Sequence, residues 1–169
     1  MSVLSKTFEQ LVARQLIAHL NLWKIMPELQ SAYRANHSTE TAVLRVRADI
    51  LGALDRADYA VLTLLDLSVA FDTVDHATLL RRLQITYGIS GTALSWFSSY
   101  LTGRKQSVRY RGTRSSLHSI FCGVPQGSVL GPILFLLYTA ELLGIIQDMQ
   151  LYPHLYADDT EIYDFCAPL

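Results

Sequence analysis

The chain predicts an α+β fold in which an antiparallel sheet is backed by helices. Three observations carry this. The apolar run Tyr59–Leu65, ending in Asp66, reads as a buried strand. Two short strand-like runs flank Asp158-Asp159 near the C-terminus and read as a hairpin. Segments with apolar residues at helical spacing lie before, between and after them, giving the order αα-β-αα-ββ-α-ββ.

Residues 3–20 place Leu4, Phe8, Leu11, Ile17 and Leu20 at roughly helical spacing, which predicts an amphipathic helix. Residues 27–37 are irregular, with Pro27 and Asn36 as breakers. Ser38 is a suitable N-cap for a helix to about Leu54, with Val43, Val46, Ile50 and Leu54 on one face. The strand at 59–66 follows. One helix from about Asp75 to Gln84 carries Leu79, Leu80 and Leu83, and another near 91–101 carries Leu94, Phe97 and Leu101. Residues 105–111 and 117–122 predict two strands around a turn at Gly112–Ser116. A helix is expected from about Ser128 to Gln147, with Pro132 fitting only its first turn. Tyr152–Tyr156 and Glu161–Phe165 close the pattern as a hairpin with both aspartates at its tip.

The 169 residues suit about one domain with a sizeable core. Half are apolar and 17% are charged, a globular composition that excludes general disorder. Cys122 and Cys166 lie far apart and outside any CxxC pattern, which suits free thiols in a reducing compartment. Glu9 and Arg14 interrupt the N-terminal apolar positions, so no signal peptide is expected. The stretch Ser115–Ala140 lacks Asp, Glu, Lys and Arg, but its glycines and prolines read as a loop and a buried helix, not a membrane span.

Charge is unevenly placed. The net value is −1, yet Arg104, Lys105, Arg109, Arg111 and Arg114 put five positive charges within eleven residues. After Arg114 there is no Lys or Arg, while Glu141, Asp148, Asp158, Asp159, Glu161 and Asp164 follow. The basic segment suits a phosphate backbone, although a solvated hairpin has the same composition. The acidic end calls for cations or a basic partner.

Three motifs carry chemistry. In LLDLSVAFDTVDH, residues 64–76, Asp66 stands at a strand end; alone this is also a strand, a turn and a helix capped by Asp72 or Asp75. In CGVPQGSVLGP, residues 122–132, Gly123 and Gly127 permit close backbone approach and Gln126 offers an amide, although a plain Gly/Pro loop before a helix reads alike. In HLYADDTEIY, residues 154–163, two carboxylates share one turn. Carboxylates at neighbouring strand ends suit a hard cation such as Mg²⁺, and two such ions suit phosphoryl transfer. His37, His76 and His154 lack zinc-ligand spacing and read as structural. Trp96, Phe97 and Tyr100 read as core, and Arg34 as either a phosphate contact or a solvated side chain.

Taken together, and in this order, the motifs resemble the reverse transcriptase domain of non-LTR (LINE-type) retrotransposons, in a jockey-like or chicken-repeat-like variant. The resemblance also runs through LQSAYRANHSTETAVLRV at 29–46 and GISGTALSWFSSYLTGRKQSV at 88–108, so it covers almost the whole chain. It implies a right-hand polymerase architecture, with residues 1–57 as partial helical fingers, 58–169 as the palm, and the thumb absent.

The resemblance also implies an activity: RNA-directed DNA polymerisation, with a primer 3′-hydroxyl attacking the α-phosphate of a dNTP. By it, Asp66 and Asp158 ligate two Mg²⁺ ions, with Mn²⁺ as an alternate, and Asp159 supports them. The Leu67 carbonyl completes one metal shell. The amides near Val69 and Ala70 face the triphosphate. Phe71 excludes a 2′-hydroxyl, where RNA-copying RNA polymerases commonly carry Asp. Gln126 and Gly127 line the nucleotide pocket. Tyr156 lies by the primer end, and Arg104, Lys105, Arg109 and Arg111 contact nucleic acid. The implied partners are an RNA template, a DNA primer, dNTP and, in the full element, a fused endonuclease. The implied setting is intracellular, nuclear or cytoplasmic, and without a membrane.

The pattern departs from the family at its edges. An upstream segment resembling RPISLL is missing before Met1, and the chain stops soon after the catalytic hairpin. Val69 stands where relatives commonly carry Lys or Ala. These departures lead us to expect poor polymerisation or none by this chain alone, and apolar surface that limits solubility. The rival readings are a catalytically dead nucleic-acid-binding remnant and a maturase-type or retron-type enzyme, which STETA and DTVDH fit less well.

Overall fold

A computed structural model describes residues 3–67 and 69–168. Met1, Ser2 and Leu169, the extremes of the expected fingers and palm, lie outside the described residues, as does Ser68. The chain forms two compact units, each assembled from two separate stretches. The boundary expected near residue 58 falls inside the second of these packing units.

The first unit comprises Met1–Ile25 and Phe71–Tyr138. It opens with α1 (Val3–Leu22). The buried stripe of α1 is Glu9, Ala13, Leu16 and Leu20, at spacings of four, three and four. The expected face is corrected: Leu4, Phe8 and Leu11 are exposed, because the stripe runs through the small Ala13 and the acidic Glu9. Helix α3 (His76–Ile85) begins where the Asp75 carboxylate accepts the Thr78 N–H at 2.7 Å. Helix α4 (Gly91–Leu101) packs against α3 and buries Phe97 and Leu101. Trp96 was expected in the core but is partly exposed and stacks on Tyr100 at 5.3 Å between centroids.

The expected two-strand segment after α4 is broken into short pieces. Strand β2 (Lys105–Gln106) pairs with β5 (His118–Ser119), and β3 (Arg109–Tyr110) pairs with β4 (Thr113–Arg114). Helix α5 (Leu130–Thr139) buries seven of its ten residues and holds Pro132 in its first turn, as expected. Tyr87 fastens this helix by donating its hydroxyl to the Leu137 carbonyl at 3.1 Å.

The second unit comprises Met26–Ala70 and Thr139–Leu169. Its sheet has the order β1-β7-β6, from β1 (Tyr59–Asp66), β6 (Tyr152–Tyr156) and β7 (Asp159–Cys166), all antiparallel. Helix α2 (Thr39–Asp55) begins at Ser38, the expected N-cap, in a reciprocal cap completed by Thr41, and packs on the sheet. Helix α6 (Glu141–Asp148) packs on β6; the single helix expected over 128–147 is divided at Ala140. The run Leu130–Asp148 is by length and composition long and apolar enough to cross a membrane, and half of its most apolar stretch is buried inside the structure.

Strand β1 departs from its expected burial. It is an edge strand, with Val61, Leu62, Leu64 and Leu65 all exposed. An apolar run shows that a strand is favourable but does not show what covers it.

Candidate active site

The two strand ends bring carboxylates together within the second unit. Antiparallel pairing of β1 with β7 runs in register from Tyr59↔Cys166 to Asp66↔Asp159. The final pair therefore sets Asp66 opposite Asp159, with both side chains on one face. Tyr156 faces Asp159 from the other side, at the end of β6. Ala157 and Asp158 are the two turn residues, and Ala157 takes the left-handed region at φ 57°. The expected tip is corrected by one residue: Asp158 stands in the turn, while Asp159 starts β7, because a two-residue turn suffices to reverse the chain.

Asp66, Tyr156, Asp159 and Glu161 line one cavity of about 330 Å³ that the first residues of α2 also border. Glu161 lies two residues past Asp159 on the same face, the period-two signal by which a sequence reading could have found it. Its carboxyl is pushed up by burial and by the charge of Asp159. Among the described residues, its Oε2 is buried without a hydrogen-bond partner.

The Asp66, Asp158 and Asp159 donors are all oxygens, which suits a hard divalent cation better than a soft one. Among the described residues, no three carboxyl, imidazole or thiol groups are already gathered into a cage. The Leu67 carbonyl accepts the Ala70 N–H at 3.2 Å, so a phosphate would compete for that amide. Val69 adopts φ 57°, uncommon for a β-branched residue, so its backbone geometry is the distinctive feature there. Ala70 is buried in the 3-10 turn Ala70–Asp72.

The hairpin tip is braced by a residue to which the sequence reading gave no role. Gln30 is 2% exposed. Its side-chain oxygen accepts the N–H groups of Ala157 and Ala32, each at 3.0 Å, and its side-chain nitrogen donates to the Ala157 carbonyl at 3.2 Å. Main-chain bonds join the same segments: Ser31 N–H to the Leu155 carbonyl at 2.9 Å, and Leu155 N–H to the Leu29 carbonyl at 2.8 Å. Arg34 donates to the carbonyls of Pro27 and Glu28 at 2.8 and 3.1 Å, so its role here is to fasten this loop. His154, behind the tip, is buried and lies 3.1 Å from the Ser31 hydroxyl.

The first unit holds the other candidate residues. Phe71 stacks obliquely on Phe135, with centroids 4.6 Å apart. Gly123 has φ +84°, and a Cβ there would stand 2.9 Å from the Asp72 main chain. Main-chain bonds from Gly123 to Val74 and from Val124 to Phe71, both 2.8 Å, join the two motifs. His76 donates its Nε2–H to the Gly123 carbonyl at 2.8 Å, a structural role as expected. Gln126 is exposed and donates to both Asp72 carboxylate oxygens at 3.3 and 3.2 Å. Gly127, at φ +72°, has open space around it.

Arg104 reaches the Gly123 carbonyl at 3.4 Å and shares a cavity of about 570 Å³ with Asp72, Gly123 and Gln126. Lys105, Arg109, Arg111 and Arg114 are exposed on the short strands and their turns. Arg111 lies over the Tyr110 ring at 5.2 Å, and Arg114 donates to Ser107 at 2.7 Å. The carboxylates thus gather in one unit, and the loop and basic segment in the other.

Within the second unit a strand-end carboxylate pair adjoins an aspartate in a two-residue turn, an oxygen-rich arrangement that suits a divalent cation. The family model for reverse transcriptase (RNA-dependent DNA polymerase) matches residues 1–164, and the chain belongs to that family. It is 38% identical over 161 residues to the probable RNA-directed DNA polymerase from transposon X-element of Drosophila melanogaster. That match covers 93% of this chain and 17% of the relative. It is 36% identical over 165 residues to the RNA-directed DNA polymerase from mobile element jockey of Drosophila funebris, covering 94% and 18%. The chain therefore spans under a fifth of the length of these curated relatives. The family is generally dependent on divalent metal.

Proposed function

We propose that this chain is the palm, preceded by part of the fingers, of an RNA-directed DNA polymerase that extends a DNA primer on an RNA template. Residues 1–57 are the fingers portion and 58–169 the palm. The observation that carries this reading is the Asp66↔Asp159 register with Asp158 in the adjoining turn. Asp66 and Asp158 hold two Mg²⁺ ions, with Mn²⁺ as a substitute, while Asp159 and the Leu67 carbonyl complete the oxygen set. When bound, the ions neutralise charge on the reacting phosphate.

The remaining work belongs to side chains and backbone. The 3′-hydroxyl oxygen of the primer attacks the dNTP α-phosphorus, and pyrophosphate leaves. Positioning accounts for much of such catalysis. Val69 and Ala70 present backbone to the triphosphate. Phe71, buttressed by Phe135, excludes a 2′-hydroxyl and so selects a DNA precursor. Gln126, held by Asp72, and Gly127 line the nucleotide pocket. Tyr156 abuts the primer end. Arg104, Lys105, Arg109 and Arg111 meet phosphate. In a longer parent protein an endonuclease domain accompanies the polymerase. The two unpaired cysteines support an intracellular setting.

The test is divalent-dependent dNTP incorporation on a primed RNA, comparing the chain with Asp158→Ala. Incorporation abolished by the substitution is the expected result. Equal incorporation by both proteins would overturn the assignment. The exposed basic segment favours a second reading, a nucleic-acid-binding remnant without catalysis. Binding of RNA by both proteins, with incorporation by neither, would select it.

A further inference from the structure

Glu9 is buried, with 2% of its surface exposed, on a helix whose other buried residues are apolar. Burying a carboxylate is costly unless its oxygens find donors. Here the donors come from the far end of the first unit. Oε2 of Glu9 accepts the Val129 N–H at 2.7 Å and lies 3.5 Å from the Leu130 N–H; Oε1 accepts the Ser5 hydroxyl at 3.4 Å. Leu130 is the first residue of α5, so the carboxylate sits on the positive end of a ten-residue helix.

The contact is directed at a particular loop. Ser128, in the same turn, donates its hydroxyl to the Pro125 carbonyl at 2.6 Å and accepts the Gly131 N–H at 2.8 Å. Gly131 leaves no room for a side chain there, since a Cβ would stand 2.6 Å from the Ser128 hydroxyl. Gly123 is pinned at the other end of the loop by Val74 and His76. Gln126 and Gly127 are the exposed residues between these fixed ends. Glu9 supplies the negative charge at the C-terminal anchor, 120 positions away in the chain.

We infer that Glu9 is a positioning residue that sets the 122–129 loop, and with it Gln126 and Gly127, through its carboxylate at the start of α5. The inference rests on the reading of that loop as the nucleotide pocket. Glu9→Gln keeps the shape and an acceptor but removes the charge and introduces two N–H donors into a site already made of donors. The expected result is at least tenfold faster amide exchange at Val129 and Leu130, faster exchange at Gln126 and Gly127, and unchanged exchange in the β6–β7 hairpin. Kd for a dNTP should rise about fivefold or more, with kcat changing less than KM wherever incorporation is measurable.

Glu9→Asp, which keeps the charge but withdraws it by one methylene, is the second variant. It should show the same pattern to a smaller degree, and it serves if the Gln variant fails to fold. Unchanged exchange at 126–131 in a folded variant would overturn the inference. So would accelerated exchange with unchanged dNTP affinity, which would make Glu9 a stabilising residue only. If the unsubstituted chain binds no dNTP, the nucleotide-pocket reading fails instead, and the exchange data still decide whether Glu9 sets the loop.

Discussion

Replacing Gln30 by Ala tests how the hairpin tip is held. Three hydrogen bonds vanish: two accepted by the side-chain oxygen and one donated by the nitrogen. A net hydrogen bond contributes about 1 kcal/mol, and a buried group left without a partner costs about 1–3 kcal/mol. Ala32 is 2% exposed, so its amide falls in the costly class, whereas the half-buried Ala157 can recruit water. The loss should be about 3–5 kcal/mol, a large share of the roughly 5–15 kcal/mol that holds a domain. Urea unfolding followed by linear extrapolation measures it, with amide exchange at Ala157 and Asp158 as a local readout. Gln30→Met fills the same space without polar atoms and should recover little of the loss. A cost under about 1 kcal/mol for the Ala variant, or full stability in the Met variant, would show that packing and not hydrogen bonding supports the tip.

Other outcomes follow from the same structure. Gly123→Ala meets both a left-handed backbone and the Asp72 main chain, and should cost about 2–4 kcal/mol, whereas Gly127→Ala meets open space and should cost about 1 kcal/mol; equal urea midpoints would contradict this. Burial, and after it the nearby Arg45, holds the His154 imidazole below its ordinary value of 6.5, so the unfolded chain binds the extra proton as pH falls. Stability should therefore be fully present above about pH 6.5 and decline below it by at most about 1.4 kcal/mol per pH unit, a slope that His154→Gln should reduce in pH-dependent urea titrations. Substituting Arg109, Arg111 and Arg114 with Ala should weaken RNA binding and lower the log–log salt slope by about one for each phosphate no longer neutralised, and an unchanged slope between about 50 and 200 mM salt would place the RNA elsewhere.

Local chemistry was legible in the sequence, and distant chemistry was not. Ser38 and Asp75 cap their helices because a short polar side chain three residues before a free N–H is a contact within one turn. Asp66 and the hairpin aspartates could be placed because a strand end and a turn each fix their position. Gln30 reads as an ordinary loop residue, since its partner Ala157 is 127 positions away. Glu9 reads as an interruption in an apolar helix until the amides at Val129 and Leu130 give it a purpose. The face of α1 was misread for a related reason: size and apolarity favour Leu4, Phe8 and Leu11, but the buried stripe runs through Glu9 and small Ala13, which an apolar count passes over.

The opposition of Asp66 and Asp159 has a consequence for how the sheet holds together. Like charges directly across an antiparallel ladder repel, by up to about 1 kcal/mol. Here they sit at the last rung of an edge strand, whose one ladder partner among the described residues is β7. A bound divalent cation would reverse the sign of that rung, turning a repulsion into a clasp. Its binding energy would then appear partly as mechanical order in β1, and the strand end would close as the site fills. A sheet selected for cohesion alone would carry a neutral pair at this rung; under the proposed function, the charge at its end is what would favour a cation there.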